Sequence, residues 1–158
     1  MPIILYLETM EINIEKCLIC ERIEWIKQDK NPYFIKELET GFAVLSDHQY
    51  FKGYCLLLCK QHKRELHELD EQFKLKFLEE MSILAKAVFD AFEPNKLNYE
   101  LLGNTDQHMH WHIFPRYKND LKPNQTVWAV EKEIRNALSN IPTDSEREFF
   151  IKKVRANL

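Results

Sequence analysis

The sequence predicts an α+β fold, a five-stranded antiparallel sheet with a long helix packed on it and a helical C-terminal tail, from three observations. Five short segments are apolar or alternate between apolar and polar residues, as strands do. One long segment instead repeats apolar residues every three or four positions, the spacing of a helix with one buried face. The 158 residues include only three glycines, Gly41, Gly53 and Gly103, each at or near the edge of a strand-like segment.

Each element can be justified in chain order. Residues 21–26 suit a short helix that begins at Cys17-Leu18-Ile19-Cys20. Residues 34–38 and 42–45 read as paired strands around Glu39-Thr40-Gly41, and the apolar run 54–60 suits a buried central strand. Asp70 is a plausible N-cap for the long helix, whose stripe is Phe73, Phe77, Met81, Leu84, Val88 and Phe92, with Pro94 after its end. Residues 96–102 and 108–114 are two further strands joined by the short loop 103–107. After the polar linker 120–125, residues 127–138 and 144–157 look helical, the second with a capping box at Thr143 and Glu146. No internal repeat is present, and a single domain is expected over residues 1–158, with its core at about 17–117 and a helical extension at about 121–158.

Composition limits the partners. A net charge of -3 and an isoelectric point near 6.1 argue against a dedicated nucleic-acid binder, which needs a basic face for phosphates. Residues 1–7 are apolar, but Glu8 follows at once and there is neither a basic flank nor a small-residue cleavage site. No stretch approaches the ~20 apolar residues that span a bilayer. A soluble, cytoplasmic protein without a nucleic-acid or membrane partner is expected. Four cysteines could form two disulfides, but Cys17 and Cys20 stand at metal-ligand spacing. Cys55 and Cys59 lie in an apolar run, where free cysteines behave as small hydrophobes.

The most informative segment is His108-Met109-His110-Trp111-His112-Ile113-Phe114-Pro115-Arg116. On a strand, three histidines at period two face one way while Met109, Trp111 and Ile113 anchor the other face. The outer two would start roughly 13 Å apart at about 3.3 Å per residue, too far to share one metal with the third without a sharp bend. Neutral imidazole is nucleophilic and titrates near neutral pH, so such a row suits covalent phosphoryl or nucleotidyl transfer.

These residues resemble the signature of the histidine triad (HIT) family, His-φ-His-φ-His-φ-φ with φ apolar. The likeness extends outward. Residues 103–108 resemble the family's Gly-Gln-Ser/Thr-x-x-His phosphate loop, with Asn104 where Gln is common. Residues 53–62 resemble its Gly-His-x-Leu-Val-x-Pro-Lys-x-His strand and turn, with Tyr54 replacing His and Cys59 replacing Pro. Cys17 and Cys20 resemble its amino-terminal Cys-x-x-Cys.

The resemblance implies that His110 is the nucleophile on an α-phosphate, flanked by His108 and His112 as donors. The residues agree, because the middle imidazole has a neighbour on each side. A backbone carbonyl is expected to hold the other His110 nitrogen as N–H. Asn104 and Thr105 are candidate phosphate contacts. Asn98 is a candidate for ribose or phosphate, or else for a cross-strand hydrogen bond. Asp47 or Ser46 would meet the ribose hydroxyls, and Phe42 and Leu45 would stack the base. Trp128 either covers the nucleotide site or serves as core or dimer contact. Cys17, Cys20, His62 and His108 would form a structural zinc site, although two buried cysteines need no metal. His48 and His67 stand apart from any constellation and are expected at the surface. No cofactor is required for the chemistry. The resemblance implies a homodimer that hydrolyses a small nucleotide substrate, a dinucleoside polyphosphate such as diadenosine tetraphosphate or an adenosine phosphoramidate. The alternative is a nucleotide-binding adaptor with little turnover.

Overall fold

The computed structural model describes residues 17–158, so the apolar run at 1–7 lies outside the described residues. In chain order the elements are α1 (Leu18–Lys27), β1 (Phe34–Glu37), β2 (Gly41–Leu45), β3 (Cys55–Cys59), α2 (Glu71–Phe92), β4 (Lys96–Glu100), β5 (His110–Arg116), α3 (Lys132–Arg135) and α4 (Asp144–Arg155). The five strands form one antiparallel sheet in the order β1-β2-β3-β5-β4, as the sequence predicts.

Period-two alternation divides the sheet into two faces. One face, with Ile35, Ala43, Leu45, Cys55, Leu57, Cys59 and Ile113, packs on Phe77, Leu84 and Val88 of α2 and on Phe150, Ile151 and Val154 of α4. Leu57 and Ile113 are fully buried there, each burial being worth about 1.5–3 kcal/mol. Across the other face, Ile19, Ile23 and Ile26 of α1 cover Phe42, Val44 and Leu58. The remainder of that face, on β3 and β5, stays open.

Local signals explain where the elements start. Asp70 caps α2 by accepting from the Phe73 amide at 3.0 Å, and α2 ends with Glu93 in the left-handed region before Pro94. Glu80, buried in the middle of α2, accepts from the amides of Glu39 (2.7 Å) and Thr40 (2.9 Å) and from the Thr40 hydroxyl. A buried carboxylate needs such donors, and here they tie the β1–β2 turn to the helix. Gly53 takes φ +89°, and a Cβ there would stand 2.5 Å from the Phe92 ring.

The tail departs from prediction in one segment. The helix expected over 127–138 is broken into a 3-10 turn at Val127–Ala129, the four-residue α3 and a second 3-10 turn at Leu138–Asn140. Side chains take the carbonyls a helix would use: Arg135 Nε donates to Val130 O, and Asn140 Nδ2 to Ile134 O and Arg135 O. Val127 and Val130 are buried against Phe51 and Phe114, so tertiary packing outweighs helix propensity. Thr143 does start α4 with the expected capping box to Glu146.

Candidate active site

β5 begins at His110, so the three histidines do not share one strand as the sequence suggested. The chain leaves the ladder just before it, where the His108 amide bonds Asp106 O and the Met109 amide bonds Lys63 O. His108 is thereby turned toward the amino-terminal segment and is only 1% exposed. Its Nδ1 lies 3.5 Å from Cys17 Sγ and 3.4 Å from Cys20 Sγ, and its Nε2 lies 2.8 Å from Cys59 O. His62 Nδ1, in the turn after β3, lies 3.2 Å from Cys20 Sγ. The four ligand atoms all lie within 4.8 Å of one another.

His110 and His112 remain on the open face, with ring centroids 4.7 Å apart. His110 Nδ1 lies 2.6 Å from the His108 carbonyl oxygen. A carbonyl only accepts, so Nδ1 carries the proton and Nε2 keeps its lone pair. His112 Nδ1 lies 2.6 Å from the Tyr54 hydroxyl. Burial first, and then the neighbouring His110, push His112 down to about 3, so its ring is neutral near pH 7. Burial raises Tyr54 above the ordinary phenol range and keeps its proton on. The phenol can therefore donate to Nδ1, which leaves the His112 proton on Nε2.

Two cavities meet at these rings. The first, of about 230 Å³, runs under α1 between Leu18, Ile19 and Arg22 on one side and Val44, Leu56 and Leu58 on the other. The second, of about 600 Å³, lies under the loop before β5 and is lined by Asn104, Thr105, Asp106 and Trp128. His110 and His112 line both. Ser46 and Asp47 both reach the first cavity, where Arg22 holds the Asp47 carboxylate through two contacts of 3.2 and 2.5 Å.

A family model for the HIT domain matches residues 28–119, more than half of the chain. The chain belongs to the HIT family. It is 31% identical over 108 residues to Protein hit of Bacillus subtilis, a match covering 65% of this chain and 72% of the relative. It is 25% identical over 118 residues to the Saccharomyces cerevisiae protein named adenosine 5'-monophosphoramidase HNT1, covering 73% of this chain and 72% of the relative. The structure of a zinc-bound histidine triad family protein from Mycobacterium smegmatis shares the fold, with TM-score 0.63, 19% identity, and coverage of 90% of this chain and 92% of the other.

In this HIT chain several predicted residues lie elsewhere than expected. Phe42 faces the correct side of the sheet but is buried under α1, one alternation short of the cavity, with Lys60 over its ring. Val44, two residues on, lines the cavity instead, and Leu45 reaches it while belonging mainly to the opposite core. Asn98 accepts from Arg116 at 2.9 Å, so the cross-strand reading holds for it. His48, expected at the surface, is half-buried at the edge of the first cavity, whereas His67 is exposed. Trp128 stands over the second cavity with its Nε1 donating to Glu100. Sequence reading missed Tyr54 as a site residue, although it lies two and four positions before the cavity-lining Leu56 and Leu58. It also missed Arg22 and Asp106, whose polar side chains carry no local pattern to find.

Proposed function

We propose that this protein hydrolyses a nucleotide at its α-phosphate through a nucleotidyl-histidine intermediate on His110. The observation that carries this reading is the His110 Nδ1–His108 carbonyl contact, which commits the free lone pair to Nε2 beside both cavities. The apolar walls of the first cavity suit a base, and Asp47, held by Arg22, retains lone pairs for the ribose hydroxyls with Ser46 beside it. Asn104 and Thr105 suit the phosphate oxygens. Nε2 of His110 forms a bond to phosphorus while the bond to the leaving group breaks and its electron pair departs with that group. The Nε2 proton of His112, donated by a neutral ring, supports oxygen charge that grows in the transition state. Water then supplies an oxygen to phosphorus, a proton passes to solvent, and the imidazole is restored.

The Cys17, Cys20, His62 and His108 cluster fits a structural zinc ion. Tetrahedral zinc, with bonds of about 2.3 Å to sulfur and 2.0 Å to nitrogen, would set sulfur and nitrogen roughly 3.5 Å apart. The three contacts here are 3.2, 3.4 and 3.5 Å. Bonding of His108 Nε2–H to Cys59 O leaves Nδ1 free as a ligand. Burial and the neighbouring Cys17 push the Cys20 thiol up to about 11, a penalty that a divalent cation reverses. Bound there, zinc would pin the amino-terminal segment to the sheet, and His108 would act as a ligand and not as an acid. A homodimer is also expected, with the edge of β4, which pairs with no further strand among the described residues, and the exposed Tyr99 available to a second copy.

The test is product analysis by chromatography after incubation with diadenosine tetraphosphate and with an adenosine phosphoramidate. Nucleoside monophosphate formed by the native chain and not by His110→Ala supports the reading. Tight nucleotide binding without turnover of either compound would replace it with the adaptor reading.

A further inference from the structure

A third cavity, of about 400 Å³, adjoins the site one step further along β5. His110, His112 and Phe114 point to the same face at i, i+2 and i+4, so Phe114 stands roughly 13 Å along the strand from His110. Phe114 stacks on Tyr54 with centroids 4.0 Å apart, and Trp128 stands edge-on to it at 6.0 Å. These rings form the floor and one wall. The cavity shares Thr105 and Trp128 with the phosphate-loop cavity and Ser46 and His48 with the base cavity, so it is continuous with both.

Its charged lining has one sign. Lys132 and Arg135 face it, and no carboxylate lines it among the described residues, Glu100 being engaged by Trp128 Nε1. Lys132 is exposed and makes no ion pair among those residues. Arg135 lies 4.6 Å over the Trp128 ring and uses Nε on the Val130 carbonyl, which leaves its two terminal amino groups for another acceptor. Two cations held without carboxylate partners beside a phosphoryl-transfer site create a positive potential at the place a leaving group must cross.

We propose that this cavity receives the leaving half of the substrate and selects an anionic one, a chain of phosphates, over an amine. The inference rests on the nucleotide-hydrolase reading and decides between its two substrate classes. When the P–O bond of an anhydride breaks, the electron pair leaves on a phosphate oxygen, and the departing group carries its negative charge toward Lys132 and Arg135. When a P–N bond breaks, the departing nitrogen must gain a proton, and an alkylamine so released meets like charge in this cavity. In the broken segment at 127–138, the 3-10 turn and α3 place Trp128, Lys132 and Arg135 together on one wall of the cavity.

Calorimetric titration of the full chain carrying His110→Ala, which prevents turnover, tests this with AMP and diadenosine tetraphosphate as probes at about 0.15 M salt. The tetraphosphate is expected to bind more tightly than AMP by roughly tenfold to a hundredfold, the range for one or two charge-assisted contacts. Adding Lys132→Glu should remove that margin and leave AMP affinity in place. Lys132→Ala with Arg135→Lys, which keeps the cation over Trp128, should remove a smaller part. A margin that survives Lys132→Glu, or an equal loss for both probes, overturns the inference and leaves the hydrolase reading standing. Failure of AMP itself to bind overturns the hydrolase reading and the inference with it.

Discussion

His108 and His110 are two residues apart, identical in chemistry and both buried, yet the fold gives them opposite surroundings. His108 has both nitrogens committed, Nε2 to the Cys59 carbonyl and Nδ1 to two sulfurs. His110 has one nitrogen committed, to the His108 carbonyl, and presents the other to open cavities. In each ring a backbone carbonyl, which sequence does not display, selects the nitrogen left available, and what that nitrogen faces, two thiols or a cavity, sets the role. One histidine is thereby suited to hold the fold and the other to attack.

The comparison breaks most sharply under paired substitutions. His110→Ala should lower kcat by roughly 10³-fold or more, as loss of a nucleophile does, and leave the melting temperature close to native. His108→Ala should instead lower the melting temperature in zinc-containing buffer. Zinc bound at this cluster and supplied at a thousand times its Kd would contribute about 4 kcal/mol to the native chain, all of which a chelator would remove. Thermal denaturation with and without chelator, alongside steady-state rates, checks both halves. A chelator effect that persists in a Cys17→Ala/Cys20→Ala variant would break the assignment of the metal to this cluster.

Most of the sheet was legible because its strands are short apolar or alternating runs between turn signals, and because α2 carries both a stripe and an N-cap. His110, His112, Asn104 and Thr105 were legible as a cluster because a period of two and a short loop bring them together. The turning of His108 was not, since it depends on the Asp106 and Lys63 carbonyls accepting from backbone amides. Phe42 was misread for a related reason: its face of the sheet follows from periodicity, but the point where α1 stops covering that face is a tertiary fact. The broken helix at 127–138 escaped because Val127 and Val130, three apart, fit a helix and a 3-10 turn equally well.

Tyr54 sharpens the comparison at His112, whose second nitrogen meets a side chain and not a carbonyl. Tyr54→Phe keeps the stacked ring and removes only the hydroxyl, so it should lower kcat by about tenfold to a hundredfold, the usual cost of losing a supporting partner, with KM little changed. Tyr54→His, which restores the residue common in the family at this position, should recover part of the loss. A raised KM with kcat unchanged would mean that the phenol acts on binding.

The smallest expected effect is on stability and has a definite sign. His112 titrates at about 3 in the folded chain because burial and His110 disfavour its charge, against about 6.5 when unfolded. Between these values the unfolded chain binds a proton that the folded chain refuses, so stability is full above about pH 6.5 and falls as pH drops toward 3. The depressed carboxyls Glu68, Glu131 and Glu146 act only below their ordinary value of 4.5, which leaves the interval from there to about pH 6.5 to histidine. Urea midpoints measured across that interval should fall with acid in the native chain and fall less in His112→Gln. Parallel curves for the two proteins would mean that His112 takes up a proton without cost, and the neutral donor assigned to it would have to be abandoned.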